Sequence, residues 1–450
     1  MYSQRLLKIF GGAGIKIGDR IRVTRGGRIY EGLLMPRPGA GSPDCIILKL
    51  DSGYNVGLAY ETGANLTKSA TAEPKAVERE AKYELGKGSH RDAFNFDSSK
   101  PPVSFITTGG TISSKVDYRT GGVTALVEPK ELLHLAPEMS KFVNVRTFAS
   151  PFTRMSENMG FDDYAALASA VFKAMKKDEG VIVTHGTDTL HYTAAALSFA
   201  IRDPAKPVVL TGSQRSSDRG STDASMNLLC SAIAAASDMA EVGVCMHGTS
   251  DDAYALFNRG TKVRKLHASR RDAFRPVNAL PLARVYPDGK IERLSPYRKR
   301  GEGVTRLDAE FYPKVALLKA YPGCKPDIVD YYVSKGYKGI VVEALGLGQV
   351  PTETGRSWLN AIRKAIDGGV TVVFAPQTIY GRLNPYVYAE ARLAHDAGVV
   401  YAEDMLPEVA YVKLAWVLGH TKIAERVREM FLTNIAGEMS SRTTPETFLY

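Results

Sequence analysis

Two short polar segments each follow a run of apolar residues that predicts a buried strand. Residues 107–112 read Thr-Thr-Gly-Gly-Thr-Ile after the apolar run 103–106, and residues 184–189 read Thr-His-Gly-Thr-Asp-Thr after the run 181–183. In an open parallel sheet, ligands gather at the carboxyl ends of the strands. The sequence therefore predicts a threonine at each of two strand ends, with a carboxylate beside the second.

Thr111, Thr187 and Asp188 are the candidate reactive groups, and Gly110 and Gly186 lie next to them. Threonine is a poor nucleophile unless a base or a strong field activates it. Two small hydroxyls, a carboxylate and glycine backbone whose N–H groups can approach a carbonyl suit an acyl-transfer site with an oxyanion hole. The alternative is a pair of ordinary strand-to-helix turns in which threonine caps the helix.

The two segments, in this order and each after an apolar strand, resemble the two signatures of the L-asparaginase/glutaminase family. The resemblance covers residues 101 to about 440. It implies that Thr111 attacks a side-chain amide and that Thr187 belongs to a second triad that positions or activates water. It also implies that Asp188 binds the α-amino group of the substrate.

The same resemblance assigns a lysine to the second triad. Residues 259–265 read Arg-Gly-Thr-Lys-Val-Arg-Lys, similar to a basic stretch of the family. The register favours Lys265, and Lys262 is the rival for this role. A lysine beside Asp188 could activate a threonine through its field, or as a base if desolvation lowers its pKa.

Further substrate contacts are implied at Ser156, Glu157 and Tyr118. Ser156 and Glu157 stand where the family binds the α-carboxylate and the α-amino group, although Glu157 departs from the family's glutamine. The alternative for this segment is a helix N-cap. Residues 113–122 are polar and bounded by glycine, which favours an active-site lid. The family carries a tyrosine on such a lid, which points to Tyr118, although an ordinary surface tyrosine is the alternative.

Other classes of chemistry lack a signal in the sequence. The four cysteines are widely scattered and show no zinc-ligand spacing, and no Gly-x-x-x-x-Gly-Lys phosphate loop is present. We therefore expect no metal and no cofactor in this chain. No apolar run is long enough for a bilayer, and the first residues lack a signal-peptide pattern. Scattered cysteines suit a reducing compartment, so we expect a cytoplasmic protein without membrane contact.

The elements that must position these residues fall into several regions of the 450-residue chain. We expect an α/β protein, an asparaginase-like two-domain parallel-sheet fold preceded by a small all-β SH3-like barrel. The expected regions are the barrel at 1–70, a linker at 71–100, an N-terminal α/β domain with the active site at 101–305, and a C-terminal α/β domain at 306–450.

Apolar patterning places the main elements within these regions. Barrel strands are predicted at 18–24, 29–36, 45–50 and 54–58. Later strands are predicted at 208–210, 242–246, 315–318, 339–342 and 370–374, and helices at 161–176, 190–201, 223–239, 408–418 and 421–432. Residues 277–312 are rich in Pro, Arg and Gly and indicate a connection between the two domains.

Because a barrel is predicted ahead of its asparaginase-like part, the chain resembles in particular the D subunits of archaeal glutamyl-tRNA(Gln) amidotransferases. This implies that the chain hydrolyses glutamine to supply ammonia. It also implies a partner E subunit that uses ATP and Mg²⁺ to convert Glu-tRNA(Gln) to Gln-tRNA(Gln), and self-dimerisation through the asparaginase-like part. Two alternatives remain: a free cytosolic L-asparaginase with an added barrel, and an inactive nucleic-acid-binding protein, which the net charge of +10 would suit.

Overall fold

The computed structural model of the protein describes residues 2–35, 42–50, 55–61, 63–69, 97–110, 112, 114–116, 123–125, 131–216, 222–353, 355 and 357–450. Within these ranges, no helix is both long enough and apolar enough to cross a membrane.

The N-terminal unit is a helix beside a five-stranded antiparallel sheet. Its elements are α1 (Gln4–Gly12), β1 (Arg20–Arg25), β2 (Arg28–Leu34), β3 (Cys45–Lys49), β4 (Asn55–Ala59) and β5 (Asn65–Lys68). The strand order is β4-β3-β2-β1-β5, and Ile21 and Val23 alternate with exposed Arg22, so one face of β1 enters the core. The sheet confirms the small antiparallel β region predicted from the sequence, and α1 is an addition to it.

Helix α1 and strand β5 were not predicted from the sequence. In α1, the Ser3 side chain accepts a hydrogen bond from the Leu6 N–H at 3.1 Å, and Leu6 and Phe10 are buried against the sheet. A serine cap followed by apolar residues four apart is a helix signal that the chain does carry.

The first α/β unit alternates strands and helices. Its elements are β6 (Pro102–Thr107), β7 (Ser114–Val116), β8 (Val123–Ala125), β9 (Asn144–Ala149), α2 (Phe161–Met175), β10 (Gly180–Thr184), α3 (Leu190–Ala200), β11 (Ile201–Arg202), β12 (Val208–Thr211), α4 (Ala224–Ala236), β13 (Val242–His247), β14 (Ala255–Arg259), β15 (Val263–Lys265), β16 (Phe274–Pro276), β17 (Ala283–Val285), β18 (Ile291–Arg293) and β19 (Arg306–Leu307). Short 3₁₀ helices span Glu131–Leu135, Pro137–Lys141 and Ser156–Asn158.

Eight of these strands form one sheet in the order β18-β17-β14-β13-β12-β10-β6-β9. The five from β13 to β9 are parallel, so the loops after β6, β10 and β12 emerge at a common edge. β14, β17 and β18 are antiparallel. Residues 277–312 were expected from their composition to connect the two domains. They also contribute strands β17 and β18, which extend this sheet.

The second α/β unit is built on a four-stranded parallel sheet in the order β20-β21-β22-β23. Its elements are β20 (Val315–Lys319), α5 (Asp327–Ser334), β21 (Gly339–Ala344), α6 (Leu359–Asp367), β22 (Thr371–Pro376), α7 (Ala389–Asp396), β23 (Val400–Tyr401), α8 (Pro407–His420) and α9 (Ala424–Leu432), followed by a 3₁₀ turn at Pro445–Thr447.

Helices α3 and α8 join the two α/β units. Both are apolar around most of their circumference, as expected for helices buried on several sides. The Trp416 ring of α8 stacks on the Phe199 ring of α3 with centroids 6.2 Å apart, and both belong to one core cluster shared with β20, β21 and β22. This packing fixes α8 against the helix that follows β10.

Candidate active site

The two threonine segments are neighbours at the carboxyl edge of the sheet. β6 and β10 are adjacent parallel strands, and Thr107 pairs with Thr184 at their ends. Just beyond, the Thr108 N–H and hydroxyl both donate to the Thr184 carbonyl oxygen at 3.1 Å. The sequence-based placement of both segments at one edge agrees with this geometry.

Gly110 and Gly186 allow the two loops to touch backbone to backbone. A Cβ on Gly110 would lie 2.3 Å from the Gly186 Cα, and one on Gly186 would lie 2.8 Å from the Ser156 side chain. Gly110 also has a φ of +86°, which side-chain-bearing residues rarely adopt. The sequence uses glycine here because no larger residue fits.

Thr111 and Tyr118, the expected nucleophile and lid tyrosine, lie outside the described residues. Within the expected lid at 113–122, the structure describes Ser114–Val116 as strand β7, which pairs with β8. The roles of Thr111 and Tyr118 remain predictions.

Thr187 lies between a lysine and a glutamine amide. Its side chain is buried, and its Oγ1 accepts a hydrogen bond from Lys265 Nζ at 2.9 Å. The hydroxyl proton of Thr187 points to Gln214 Oε1 at 3.4 Å. Lys265 Nζ also donates to Asp188 Oδ1 at 2.7 Å. The Asp188 side chain is 68% exposed, so a substrate ammonium can reach this carboxylate.

Strand β15 brings Lys265 to this position. Lys265 pairs with Phe274 of β16 in a short antiparallel ladder. Successive side chains of a strand point to opposite faces, so Lys265 and its neighbour Arg264 face different parts of the molecule. Only the Lys265 side faces Thr187.

Lys262, the rival lysine, lies elsewhere. Its Nζ donates to Asp404 Oδ2 at 2.7 Å, and both side chains are 3% exposed. Burial lowers the pKa of Lys262, and the Asp404 carboxylate opposes that shift. Lys262 therefore ties the turn before β15 to the second α/β unit, at a site separate from Thr187.

Ser156 and Glu157 begin a 3₁₀ helix next to the Gly186 loop. Ser156 is buried against Gly186, whereas Glu157 is exposed. The N-cap expected as the alternative for this segment is wrong, because α2 starts after Gly160, whose N–H donates to Asp163 Oδ2 at 3.0 Å.

Threonine capping also fails to explain the second threonine segment. Thr189 precedes α3, but its side chain makes no cap bond and instead donates to the Ser156 carbonyl oxygen at 2.7 Å. Thr189 thus connects the Ser156 turn to the Thr187 loop.

Gln214 and the buried carboxylate that supports it were not predicted from the sequence. The loop after β12 carries Gln214, and Asp223 accepts hydrogen bonds from the backbone N–H groups of Gln214 and Arg215 at 3.0 and 3.1 Å. Ser213 and Asn227 side chains also donate to Asp223, each at 3.0 Å. Strand β12 was predicted, and ligands gather at the carboxyl ends of parallel strands. The loop after β12 was therefore a place in the sequence to look for further site residues.

His185 holds the Thr187 loop through two hydrogen bonds. Its Nδ1 donates to the Gly186 carbonyl oxygen at 2.6 Å, and its Nε2 accepts from Thr193 Oγ1 at 2.8 Å. Burial lowers the pKa of His185 to about 4, so the ring is neutral at pH 7. Among the described residues, no group of three or more His, Cys, Asp or Glu side chains is arranged to hold a metal ion.

Family models match three parts of the chain. Residues 102–297 match the N-terminal asparaginase domain, residues 314–431 match the glutaminase/asparaginase C-terminal domain, and residues 15–67 match the GatD N-terminal domain. The first contains the described part of the candidate site, the second falls on the four-stranded parallel sheet and its helices, and the third falls on the five-stranded sheet.

Among solved structures, an L-asparaginase from Thermococcus kodakarensis is similar, with a TM-score of 0.68 and 31% identity over 76% of this chain and 100% of that protein. L-asparaginase I from Vibrio cholerae has a TM-score of 0.65 and 25% identity, over 76% of this chain and 99% of that protein.

Sequence relatives extend over nearly the whole chain. The D subunit of the glutamyl-tRNA(Gln) amidotransferase from Pyrococcus furiosus is 45% identical over 97% of this chain and 98% of its own length. The D subunit from Thermococcus kodakarensis is 46% identical over 97% of this chain and 97% of its own length. The D subunit from Methanothermobacter thermautotrophicus is 44% identical over 98% of this chain and 98% of its own length. With its asparaginase-type units behind a GatD N-terminal domain, the chain belongs to the family of glutamyl-tRNA(Gln) amidotransferase D subunits.

Proposed function

We propose that this chain is the glutaminase component of a tRNA-dependent amidotransferase, which hydrolyses glutamine to glutamate and ammonia. The observation that carries the proposal is the Thr187–Lys265–Asp188 cluster, with its 2.9 and 2.7 Å contacts, in a chain that belongs to the D-subunit family. The ammonia then serves the amidation of Glu-tRNA(Gln).

In this proposal, Thr111 attacks the side-chain amide carbon and ammonia leaves. The resulting acyl-enzyme is released when water attacks it, and Thr187 with Lys265 positions or activates that water. The Lys265 ammonium already occupies a lone pair of Thr187 Oγ1, which leaves the hydroxyl proton directed away from the lysine. Backbone at Gly110 and Gly186 would face the oxyanion of each tetrahedral intermediate.

The same cluster suits an α-amino acid as substrate. Asp188 is the exposed carboxylate that would pair with the α-ammonium group. Ser156 and Glu157 would complete the contacts to the α-carboxylate and α-amino groups, and Tyr118 would close over them. These substrate roles follow the family resemblance and are part of the proposal.

The partner and the energy source are proposed on the same basis. An E subunit would phosphorylate Glu-tRNA(Gln) with ATP and Mg²⁺ and accept the ammonia, because the present sequence carries no phosphate loop. Two copies of this chain would associate through their asparaginase-type units. A free asparaginase explains the chain less well, since residues 15–67 match the GatD N-terminal domain.

The test is glutamine turnover by the purified chain, alone and with an E subunit, ATP and Glu-tRNA(Gln). We expect glutaminase activity that rises in the complex and Gln-tRNA(Gln) formed only when both subunits are present. Full activity of the isolated chain with a preference for asparagine would contradict the proposal.

A further inference from the structure

A buried carboxylate of the second α/β unit contacts both the strand that carries Lys265 and the helix that follows the Thr187 loop. Glu408 lies in the first turn of α8 and is 1% exposed. Its Oε2 accepts a hydrogen bond from Arg264 of β15 at 2.8 Å. Its Oε1 lies 3.7 Å from Nε2 of His191, which stands in the first turn of α3.

Both contacts involve residues that lie close in the chain to residues of the candidate site. Arg264 precedes Lys265 in the strand, so it points away from Thr187 while Lys265 points towards it. His191 follows Asp188 by three residues and faces Phe274, the cross-strand partner of Lys265, with ring centroids 6.5 Å apart. One carboxylate is therefore hydrogen-bonded to the strand that carries the lysine and in packing contact with the helix that follows the threonine.

Strand β15 needs such an anchor. It is three residues long and pairs with β16 in a sheet of two strands. A two-stranded ribbon of this size is marginal by itself, so side-chain contacts must fix its position. Val263 supplies one by packing in the core of the first α/β unit, and the Arg264–Glu408 pair supplies another across the boundary to α8.

The cluster of Glu408, Arg264 and His191 contains buried polar atoms that make no hydrogen bond. Among the described residues, Glu408 Oε1 and His191 Nδ1 are buried without a hydrogen-bond partner. Burying unpaired polar groups costs stability, and an apolar pair of similar size would avoid that cost. Burial raises the pKa of Glu408 to about 7 and lowers that of His191 to about 3.

We propose that Glu408 is a positioning residue that sets the distance between Lys265 and Thr187 by bridging β15 and α3 from the second α/β unit. It acts through Arg264 and His191 and does not touch the substrate. The kinetic part of this inference rests on the proposed glutaminase function, whereas its structural part does not.

The first arm of the experiment is substrate-independent. Acetic anhydride is applied to the full chain, and acetylation of Lys265 is followed by peptide mass spectrometry against exposed Lys364 as internal reference. In the wild type, Lys265 is 10% exposed and bound to Asp188, so it reacts slowly. We expect Glu408→Ala to speed its acetylation several-fold and Glu408→Gln, which keeps a hydrogen-bonding amide in place, to leave it near wild type.

The second arm measures glutamine hydrolysis. We expect Glu408→Ala to lower kcat at least about tenfold, with KM changed less than about threefold, because a small displacement of a catalytic group costs rate more than binding. Glu408→Gln should retain most of kcat.

Glu438→Gln is the matched control. Glu438 forms a buried ion pair with Lys413, which lies in α8 as Glu408 does, and its other hydrogen bonds go to the backbone N–H groups of Ile435 and Ala436 instead of to β15 or α3. We expect it to lower the melting temperature without changing Lys265 acetylation or kcat measured below that temperature. All variants are compared at a temperature where each is folded.

Unchanged Lys265 acetylation and unchanged kcat in Glu408→Ala would overturn the inference, and so would equal losses in Glu438→Gln. A wild-type chain that hydrolyses no glutamine, alone or in complex, would refute the proposed function instead. The acetylation arm would still decide whether Glu408 positions Lys265.

Discussion

Thr187 is buried and hydrogen-bonded to Lys265, so a substitution of similar size at Thr187 tests its proposed catalytic role without opening the core. We expect Thr187→Val to lower glutamine turnover about a thousandfold, because a hydroxyl needed in the transition state cannot be replaced by a methyl group. Thr111→Ala should have an effect of similar size. Steady-state kinetics, with circular dichroism as a check on folding, measure both. Near-native rates in either variant would refute the assignment of that threonine.

Replacing Lys265 should lower mainly the activity, whereas replacing Lys262 should lower mainly the stability of the fold. Lys265→Met removes the donor to Thr187 and Asp188 and should abolish most activity with little change in melting temperature. Lys262→Met leaves Asp404 buried without its cation, which typically costs about 3–5 kcal/mol, but it should retain kcat while the protein is folded.

Adding Asp404→Leu to Lys262→Met is the control for this prediction. It removes the unpaired carboxylate and should recover much of the lost free energy of unfolding. Loss of kcat in Lys262→Met with full activity in Lys265→Met would mean that the roles are reversed.

A substitution at Gly110 tests whether this position needs glycine because two backbone segments approach closely, and not only because its φ is positive. Gly110→Ala places a Cβ 2.3 Å from the Gly186 Cα, so the two loops must separate and activity should be lost. Gly323 has nearly the same φ, +85° against +86°, but nothing lies within 4 Å of its Cβ position. Gly323→Ala should therefore cost only the backbone strain, about 1–2 kcal/mol, and leave kcat unchanged. Equal kcat losses in both variants would contradict this interpretation.

At the scale of elements, α8 links pH to stability through Glu408. Its pKa rises from 4.5 in the unfolded chain to about 7 in the fold because the carboxylate is desolvated, with Arg264 opposing the shift and Glu343 adding to it. His191 also faces the group and is neutral. A raised carboxyl pKa favours folding while the group is protonated, so this contribution is complete below pH 4.5 and is lost as the pH rises through 7.

Chemical denaturation from pH 5 to pH 8 measures this effect. The free energy of unfolding of the wild type should fall by about 3 kcal/mol relative to Glu408→Gln, at about 1.4 kcal/mol for each pKa unit. Parallel pH profiles for the two proteins would show that Glu408 keeps its ordinary pKa in the fold.

At the scale of the whole molecule, the proposed division of labour predicts which reactions survive loss of the glutaminase site. In a complex with an E subunit, Thr111→Ala should still amidate Glu-tRNA(Gln) when ammonium is supplied and should fail with glutamine. The reason is that the site on this chain would make ammonia and the partner would use it. If the variant complex also fails with ammonium, this chain does more than supply ammonia.

The sequence by itself determined the elements that local patterning can encode. Apolar runs followed by Thr-, Gly- and Asp-rich segments placed the site at the ends of β6 and β10, because a parallel sheet brings its carboxyl ends together. The alternation around Ile21 and Val23 indicated the small antiparallel sheet. The GatD-type N-terminal region, the feature that separates this chain from free asparaginases, was also visible in the sequence.

Only the tertiary structure decided which distant groups meet. Lys262 and Lys265 differ by three positions in the chain, yet one is buried against Asp404 and the other reaches Thr187. Gln214, Asp223 and Glu408 carry no local motif, since each matters only through partners brought close by packing. Hydrophobic periodicity reports which face of an element is buried, but it carries no information about the partner that covers that face.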